Sequence, residues 1–587
     1  MHLRRSSPQA GGIAFAHAAA LALTLLLLLS PATAQATIPT ASNFIRRATH
    51  ASAVLNSTLY IDGGLFSQYI NGTLDTLLPR QLNATLALPL HHPWTNATAP
   101  LTAIPKPPSA PIYKYADLWT DAAGAALYSW AGETVGTSPP ALSLWKFTPS
   151  PADGANGTWA AVDARDPAAF NQLARPAGGY SASCRGAGWY LGGYTSGATD
   201  ARWGDGGAAP VPGMVSYNYS SGAWRNVSVE GFAGGGTAAW GKMADVPFGE
   251  GGGGVLAVLG GEGGDREVLR NTEGGRSFAN VSLYDPLRDR WFGQFTTGEA
   301  PGVRDGFCMV GAQGKNGSFE LFVYGGWLAS KSDVYSDVYI LSLPGFHWFK
   351  GPSVGAPRMQ HSCNVIGSGN RQMLAIGGLA LQWQPSSEQK WKEPDEWRNG
   401  LGVFDMTTLE WTDSYDPDLE YDTPDVIKQW YSEGGEAAWT SNSVKALFSE
   451  TSTSSASSSS SSAGGGSSSE SNDSSSSSSN TGAVAGGVVG GVAGLALILG
   501  ALWYLRRRKQ RQFQEKYEQQ ESPRSESSVN NSFQAHEMDN CDRAELDWDA
   551  HNAELDSTMK TELDSTAVKR VPQRTSKTRS GVYELPV

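Results

Sequence analysis

Short apolar runs that stop on a pair of glycines recur along the first two thirds of the chain. They read Leu59-Tyr60-Ile61-Asp62-Gly63-Gly64, Trp189-Tyr190-Leu191-Gly192-Gly193 and Val255-Leu256-Ala257-Val258-Leu259-Gly260-Gly261. Two more are Leu321-Phe322-Val323-Tyr324-Gly325-Gly326 and Met373-Leu374-Ala375-Ile376-Gly377-Gly378, and a degenerate copy, Leu127-Tyr128-Ser129-Trp130-Ala131-Gly132, fills the remaining gap. Apolar runs this short, bounded by turn residues, predict buried strands and not helices. After each pair come a loop, another strand and a tryptophan: Trp94, Trp159, Trp224, Trp291, Trp348 and Trp411. In four units the residue seven positions before the tryptophan is large and apolar: Tyr217, Tyr284, Leu341 and Phe404. One further strand precedes most pairs and begins near an arginine, as in Arg47-Ala48-Thr49-His50 and Arg358-Met359-Gln360-His361; Arg175 and Arg304 open equivalent strands. Each unit thus holds four short strands, and tandem four-stranded units predict an all-β propeller.

Composition sharpens this picture. With 69 Gly, 20 Trp and only 17% charged residues, the chain suits many strands joined by tight turns, since glycine supplies φ > 0 and aromatics pack on pleated surfaces. At 587 residues it is too long for one ordinary domain unless that domain is a repeat. The net charge of −12 is mild for this length and argues against a nucleic-acid partner, which would need a basic face to neutralise phosphates.

The ends read differently. Arg4 and Arg5, the apolar stretch Ala18 to Leu29 and the small-residue site Ala32-Thr33-Ala34 predict a signal peptide over 1–34. Sequons at Asn56, Asn71, Asn83, Asn96, Asn156, Asn218, Asn226, Asn280, Asn316 and Asn472 fit a secretory chain. Residues 449–481 are nearly all Ser and predict a disordered, O-glycosylated stalk. Residues 482–505 carry no charge and are long enough to cross a hydrocarbon core of ~30 Å. Arg506, Arg507, Arg508, Lys509 and Arg511 follow at once, which keeps that end cytoplasmic and the 35–448 region outside, a single-pass type I plasma-membrane layout. Asn530, beyond the span, should then stay unmodified. Gly482, Gly486, Gly490 and Gly494 fall on one helical face, a small-xxx-small ribbon suited to a homodimer through the span. The tail 506–587 reads as disordered, and its Glu-Leu-Asp copies at Glu545, Glu554 and Glu562 suggest docking for a cytoplasmic adaptor, with low-complexity drift as the blander reading.

The repeated glycine pairs, spaced Tyr and Trp and Arg-x-x-His openings resemble the kelch repeat, over about 390 residues. The resemblance implies a kelch-type β-propeller of six blades over 35–448, with a seventh left open. Spacings between pairs run from 52 to 68 residues, above the ~50 of that repeat, so long loops are expected at Thr195–Gly213 and Leu379–Arg398. The second unit, with Ala131-Gly132 and no opening arginine, and the fourth, which opens Trp240-Gly241-Lys242, are expected to be distorted blades. The whole layout resembles fungal single-pass surface proteins, which implies recognition, adhesion or sensing of a protein or glycan ligand.

Candidate chemistry is sparse. The fold is shared with copper-radical oxidases that resemble galactose oxidase, whose copper needs two His and two Tyr, one crosslinked to Cys. No such set is visible among His50, His91, His92, His347 and His361, so the chain is read as a non-catalytic binder without cofactor or metal, the surface-anchored oxidase being the alternative. The Gly249–Gly264 stretch lacks the Lys-Ser/Thr of a phosphate loop. Arg47, Arg175, Arg304 and Arg358 could gather at one mouth of the channel and bind an acidic peptide or anionic glycan; the alternative is that each bridges to a neighbouring blade or loop carbonyl. Of Cys184, Cys308, Cys363 and Cys541, the pair Cys308–Cys363 sits early in successive repeats and is the expected disulfide, against three buried free thiols.

Overall fold

Alternation of apolar and small residues along the repeat places one strand after another in register, and the computed structural model shows the result as six blade sheets, five of four antiparallel strands and one of five, in which the short strand Thr297–Gly298 adds in parallel beside His347–Lys350. It describes residues 39–449, apart from 76–78, 137, 152–153, 205–206, 228, 230–236, 264–274, 329–332, 353 and 381–388. The expected signal segment, stalk, span and tail therefore lie outside the described residues, and with them Asn472, Gly482, Gly486, Gly490 and Gly494. Among the described residues, no helix is long and apolar enough to cross a membrane.

Blade 1 consists of Ala51–Leu55, Thr58–Asp62, Ala84–Pro89 and Thr102–Pro105; blade 2 of Asp117–Asp121, Ala126–Trp130, Leu144–Pro149 and Gly157–Val162. Blade 3 holds Tyr180–Cys184, Ala187–Leu191, Met214–Asn218 and Trp224–Val227, and blade 4 Lys242–Val246, Val255–Leu259, Asn280–Asp285 and Arg290–Phe295. Blade 5 is Cys308–Gln313, Phe319–Tyr324, Val338–Leu343 and His347–Lys350, and blade 6 Ser362–Ile366, Gln372–Ile376, Leu401–Asp405 and Glu410–Thr412. The first strand of each blade touches the first strand of the next, and that of blade 6 touches that of blade 1. Six apolar cores lie between successive sheets, including one made by Leu59, Ile61 and Leu86 of blade 1 with Leu374, Ile376 and Val403 of blade 6. The ring is closed with six blades, so the seventh left open by the repeat count has no place in it.

The glycine pairs fasten the ring. The second glycine of each pair donates its N–H to a backbone carbonyl of the next blade: Gly64 to Tyr113, Gly132 to Pro176, Gly193 to Ala238, Gly261 to Arg304, Gly326 to Arg358 and Gly378 to Arg47, at 2.6 to 3.1 Å. The first glycine has no room for a side chain, because a Cβ on Gly192 would lie 2.0 Å from the Ala238 carbonyl oxygen. Ala131 occupies this first position in blade 2 with φ +68° and the blade is complete, as is blade 4 behind Trp240-Gly241-Lys242. Neither is the distorted unit the motif departures suggested. The pairing depends on the second glycine and the backbone, which both units retain.

Two expectations are corrected in detail. Trp94 does not lie in the fourth strand of its blade. Trp94–Thr95 pairs with Ser414–Tyr415 at the seam between blades 6 and 1, and Thr102–Pro105 supplies the fourth strand. The other five tryptophans do stand on fourth strands, where Tyr217, Tyr284, Leu341 and Phe404 lie directly opposite Trp224, Trp291, Trp348 and Trp411. The sequence also gave no warning of two helices, Asp425–Ser432 and Asn442–Ser449. The second buries Val444, Leu447 and Phe448 against blades 4 and 5, so the boundary expected at 448 cuts through it.

Candidate functional site

The four arginines do not form one ring. Arg47, Arg304 and Arg358 each lie four residues before a first strand, where blades 2, 3 and 4 carry Tyr113, Pro176 and Ala238; Arg175 falls one residue earlier. All four are at most 4% exposed. Arg304 donates to the Gly325 carbonyl at 3.1 Å and to Asp337 at 2.6 Å. Arg358 donates to the Gly377 carbonyl at 2.7 Å, to both oxygens of Asp395 and to Glu396, and lies 3.6 Å from the centre of the Trp397 ring. Arg175 reaches the Pro140, Ala141 and Thr199 carbonyls. Arg304 and Arg358 thus hold loops to the glycine turns, and Arg175 ties two loops to each other. Arg47 instead lies over the Phe66 ring at 5.5 Å, and burial pulls its pKa down to about 10 against the opposing charge of Asp62. Arg46, which the repeat pattern passed over, completes the set by donating to the Gly378, Glu393 and Pro394 carbonyls.

A different ring lies one step further along each unit. Two residues before every first strand the chain turns left-handed: Thr49, Tyr115, Gly178, Trp240, Gly306 and Gln360 have φ from +56° to +63°. Five backbone bonds link these six residues around the axis. Thr49 N–H donates to the Gln360 carbonyl, Tyr115 to Thr49, Trp240 to Gly178, Gly306 to Trp240 and Gln360 to Gly306, at 2.7 to 3.0 Å. For Tyr115 and Trp240 a left-handed backbone is costly, by about 1 kcal/mol or more, and the collar holds them there. Their rings meet edge to face at 5.0 Å, above Gly178. That glycine is needed, since a Cβ on it would lie 2.8 Å from the Trp240 ring. Tyr194 extends the group, its ring 5.4 Å from Trp240 and its hydroxyl donating to Glu133 at 2.9 Å. Glu133 pairs in turn with Lys114 at 3.0 Å. Tyr115, Tyr194 and Trp240 are all half-buried, so the mouth presents aromatic surface beside an ion pair.

Below the collar the first strands carry a polar set. Asp117 opens blade 2 and Lys242 opens blade 4. Burial raises the Asp117 carboxyl to about 6, with Lys242 pulling the other way. His50 and His361 occupy the same repeat position. Burial holds both well below the ordinary histidine range, reinforced by Arg47 and Lys242 for His50 and by Arg358, Lys242 and His50 for His361. His50 bonds the Ser362 hydroxyl at 2.8 Å. Cys308 and Cys363 form a disulfide between the first strands of blades 5 and 6. Cys184 is buried and free, its thiol pushed up by burial and by the neighbouring Asp245. Of the nine described sequon asparagines, Asn56, Asn71, Asn83, Asn156, Asn226, Asn280 and Asn316 are exposed and Asn218 is half-buried. Asn96 departs from the expectation: it is buried, and its side-chain amide donates to Asp413 at 2.9 Å.

Sequence reasoning named Trp240-Gly241-Lys242 only as a departure from the repeat, and missed Tyr115 and Asp117 altogether. The signal was there in that departure, since a unit that breaks its own pattern while keeping its fold marks a place where something other than folding is selected. Comparison with known proteins adds one finding on either side. No family model matches the chain. It is similar to a Kelch repeat-containing protein of Arthroderma benhamiae, 25% identical over 430 residues, which cover 64% of this chain and 58% of that relative. The chain thus spans less than two thirds of the relative's length. The closed ring of six sheets and the similarity to this relative together support a kelch-repeat β-propeller.

Proposed function

We propose that this chain is a non-catalytic recognition protein, displayed at a cell surface, that binds a protein or glycan ligand at the collared mouth of its propeller. The observation that carries this reading is the half-buried aromatic group Tyr115, Tyr194 and Trp240, held by a backbone that pays strain to present it. Large rings with few rotatable bonds give contact area at low entropic cost, and the adjacent Lys114–Glu133 pair supplies direction. Surface display rests on the leader, the charge-free stretch 482–505 with its basic stop, and the exposed sequons. Membrane pairing through Gly482, Gly486, Gly490 and Gly494 and docking of an adaptor on the tail belong to the same proposal.

The test is a screen of the full-length chain in detergent against arrayed glycans and secreted-protein peptides. Ligands found there should lose at least tenfold in affinity with Trp240→Ala or Tyr115→Ala, while melting stays within a few degrees. Hits that ignore both substitutions would move the site elsewhere. Stoichiometric copper with peroxide release on sugar alcohols would replace the binding reading by the oxidase one.

A further inference from the structure

We propose that Cys308, His361 and Cys363 form a metal site when their disulfide is reduced, a three-ligand seat for a thiophilic d10 cation. Cys308 opens the first strand of blade 5, His361 immediately precedes the first strand of blade 6, and Cys363 is its second residue. The potential donor atoms of the three lie within 4.8 Å of one another. His361 and Cys363 are two residues apart on extended chain, so their side chains leave it on the same side.

The independent observation is His361 itself. It is 4% exposed, and neither ring nitrogen has a hydrogen-bond partner. Buried polar atoms are nearly always bonded, and an orphan costs about 1–3 kcal/mol. The Tyr324 ring packs against it edge to face at 5.1 Å, a contact that satisfies neither nitrogen. Glycine at 325 leaves space beside it, since a Cβ there would lie 2.9 Å from the ring's Cε1. A histidine needed only for packing would be better served by an apolar ring.

The chemistry balances with a small-molecule thiol as reductant. Two such thiols reduce the disulfide, giving two cysteine thiols and one external disulfide. The cation then displaces both thiol protons and binds two thiolates and the imidazole. Cys363, the half-exposed member, is where the attacking thiol enters. Two thiolates and one imidazole suit Zn2+ or Cu+, and leave a coordination position open for water or an exogenous ligand. Zn2+ leaves the site neutral and Cu+ leaves it with one negative charge. This donor set differs from the two-His, two-Tyr copper set weighed above.

The experiment uses the full chain in detergent with Cys541→Ser as background, reduced by a phosphine and freed of it without oxygen. Zn2+ and Cu+ are titrated separately against chromophoric chelators, and Co2+ is added to a third sample. One equivalent of Zn2+ or Cu+ per reduced chain, none for the disulfide form, and a thiolate-to-cobalt charge-transfer band are expected. His361→Gln should weaken binding at least tenfold and shift that band, and Cys308→Ser should abolish both. Near-ultraviolet circular dichroism follows the fold throughout. A reduced chain that unfolds, that takes up no stoichiometric metal, or that binds equally well with His361→Gln overturns the proposal and leaves an ordinary structural disulfide.

Discussion

Several buried carboxyls and two buried histidines pull the stability of this molecule in opposite directions with pH. Burial raises Asp117 and Asp245 to about 6, and it raises Glu262 and Asp305 as well, Asp305 being further raised by the charge of Glu262. In the unfolded chain these groups titrate near 4. Between pH 4 and about 6 the folded state therefore binds more protons, and their contribution to stability grows as pH falls through that window. His50 and His361 act the other way. Their folded pKa values lie well below 6.5, so stability is lost as pH falls below the unfolded value. Asp117→Asn removes the cost of an ionised buried carboxylate. It is expected to raise stability at pH 8 by on the order of 1–3 kcal/mol and to leave it unchanged at pH 4. The double variant His50→Gln, His361→Gln is expected to steepen the gain between pH 7 and pH 5. Thermal melts across that range check both, and equal slopes for the wild type and the two variants would mean that these groups do not govern the profile.

At the scale of the element, the glycine turn shows which part of the repeat is backbone logic and which is side chain. Both glycines of a pair are left-handed, and all but Gly260, which faces the Phe278 and Phe307 rings, meet a carbonyl or amide of the neighbouring blade or of their own approach strand. Gly192→Ala puts a Cβ 2.0 Å from a carbonyl oxygen, so it should cost at least about 2–3 kcal/mol. Ala131→Gly removes a strained φ of +68° and is expected to gain up to about 1 kcal/mol, part of it returned as unfolded-state entropy. Denaturant midpoints of the two variants give opposite shifts if the turn is read correctly. The same comparison explains what the sequence made legible. Strand runs, glycine pairs and five of the six tryptophans follow local rules, so the four-strand unit and its order could be read off directly, while the choice between six blades and seven had to wait for ring closure. The helix Asn442–Ser449 could not, because its register depends on a groove between blades 4 and 5 that exists only once the ring has formed. Nor could the collar, since Thr49, Tyr115, Trp240 and Gln360 share no side-chain type, only a φ that the backbone bonds around the axis impose. The arginines stood out in sequence because they recur, yet only two of the four, Arg304 and Arg358, clamp loops to glycine turns.

A propeller of six blades must join its last sheet to its first, and in this molecule the whole-ring constraint meets at one seam. There the Gly378 N–H donates to the Arg47 carbonyl at 2.6 Å, and Arg46 donates to the Gly378 carbonyl. Trp94–Thr95 pairs with Ser414–Tyr415, and the Trp94 and Tyr415 rings lie 4.8 Å apart. Asn96 sits in the middle of this closure. Its N–H donates to the Asp413 carbonyl and its side-chain amide to the Asp413 carboxylate, both at 2.9 Å, while Asn399 donates to its carbonyl at 2.8 Å. N-glycosylation attaches to that same side-chain nitrogen, on a residue that the seam leaves only 7% exposed. A sequon and a ring closure thus compete for one atom. Material secreted or displayed in a folded state is expected to carry glycans at Asn56, Asn83, Asn156, Asn226 and Asn280, to be bare at Asn96 and, under the proposed topology, bare at Asn530. Asn96→Asp puts a carboxylate against Asp413 and should cost about 2–4 kcal/mol, whereas Asn96→Gln with unchanged glycan mass but lower melting temperature would separate the structural role from the modification. Site mapping of cooperatively melting protein decides the matter: a glycan found on Asn96 in that fraction would mean that blades 1 and 6 are held together without this contact.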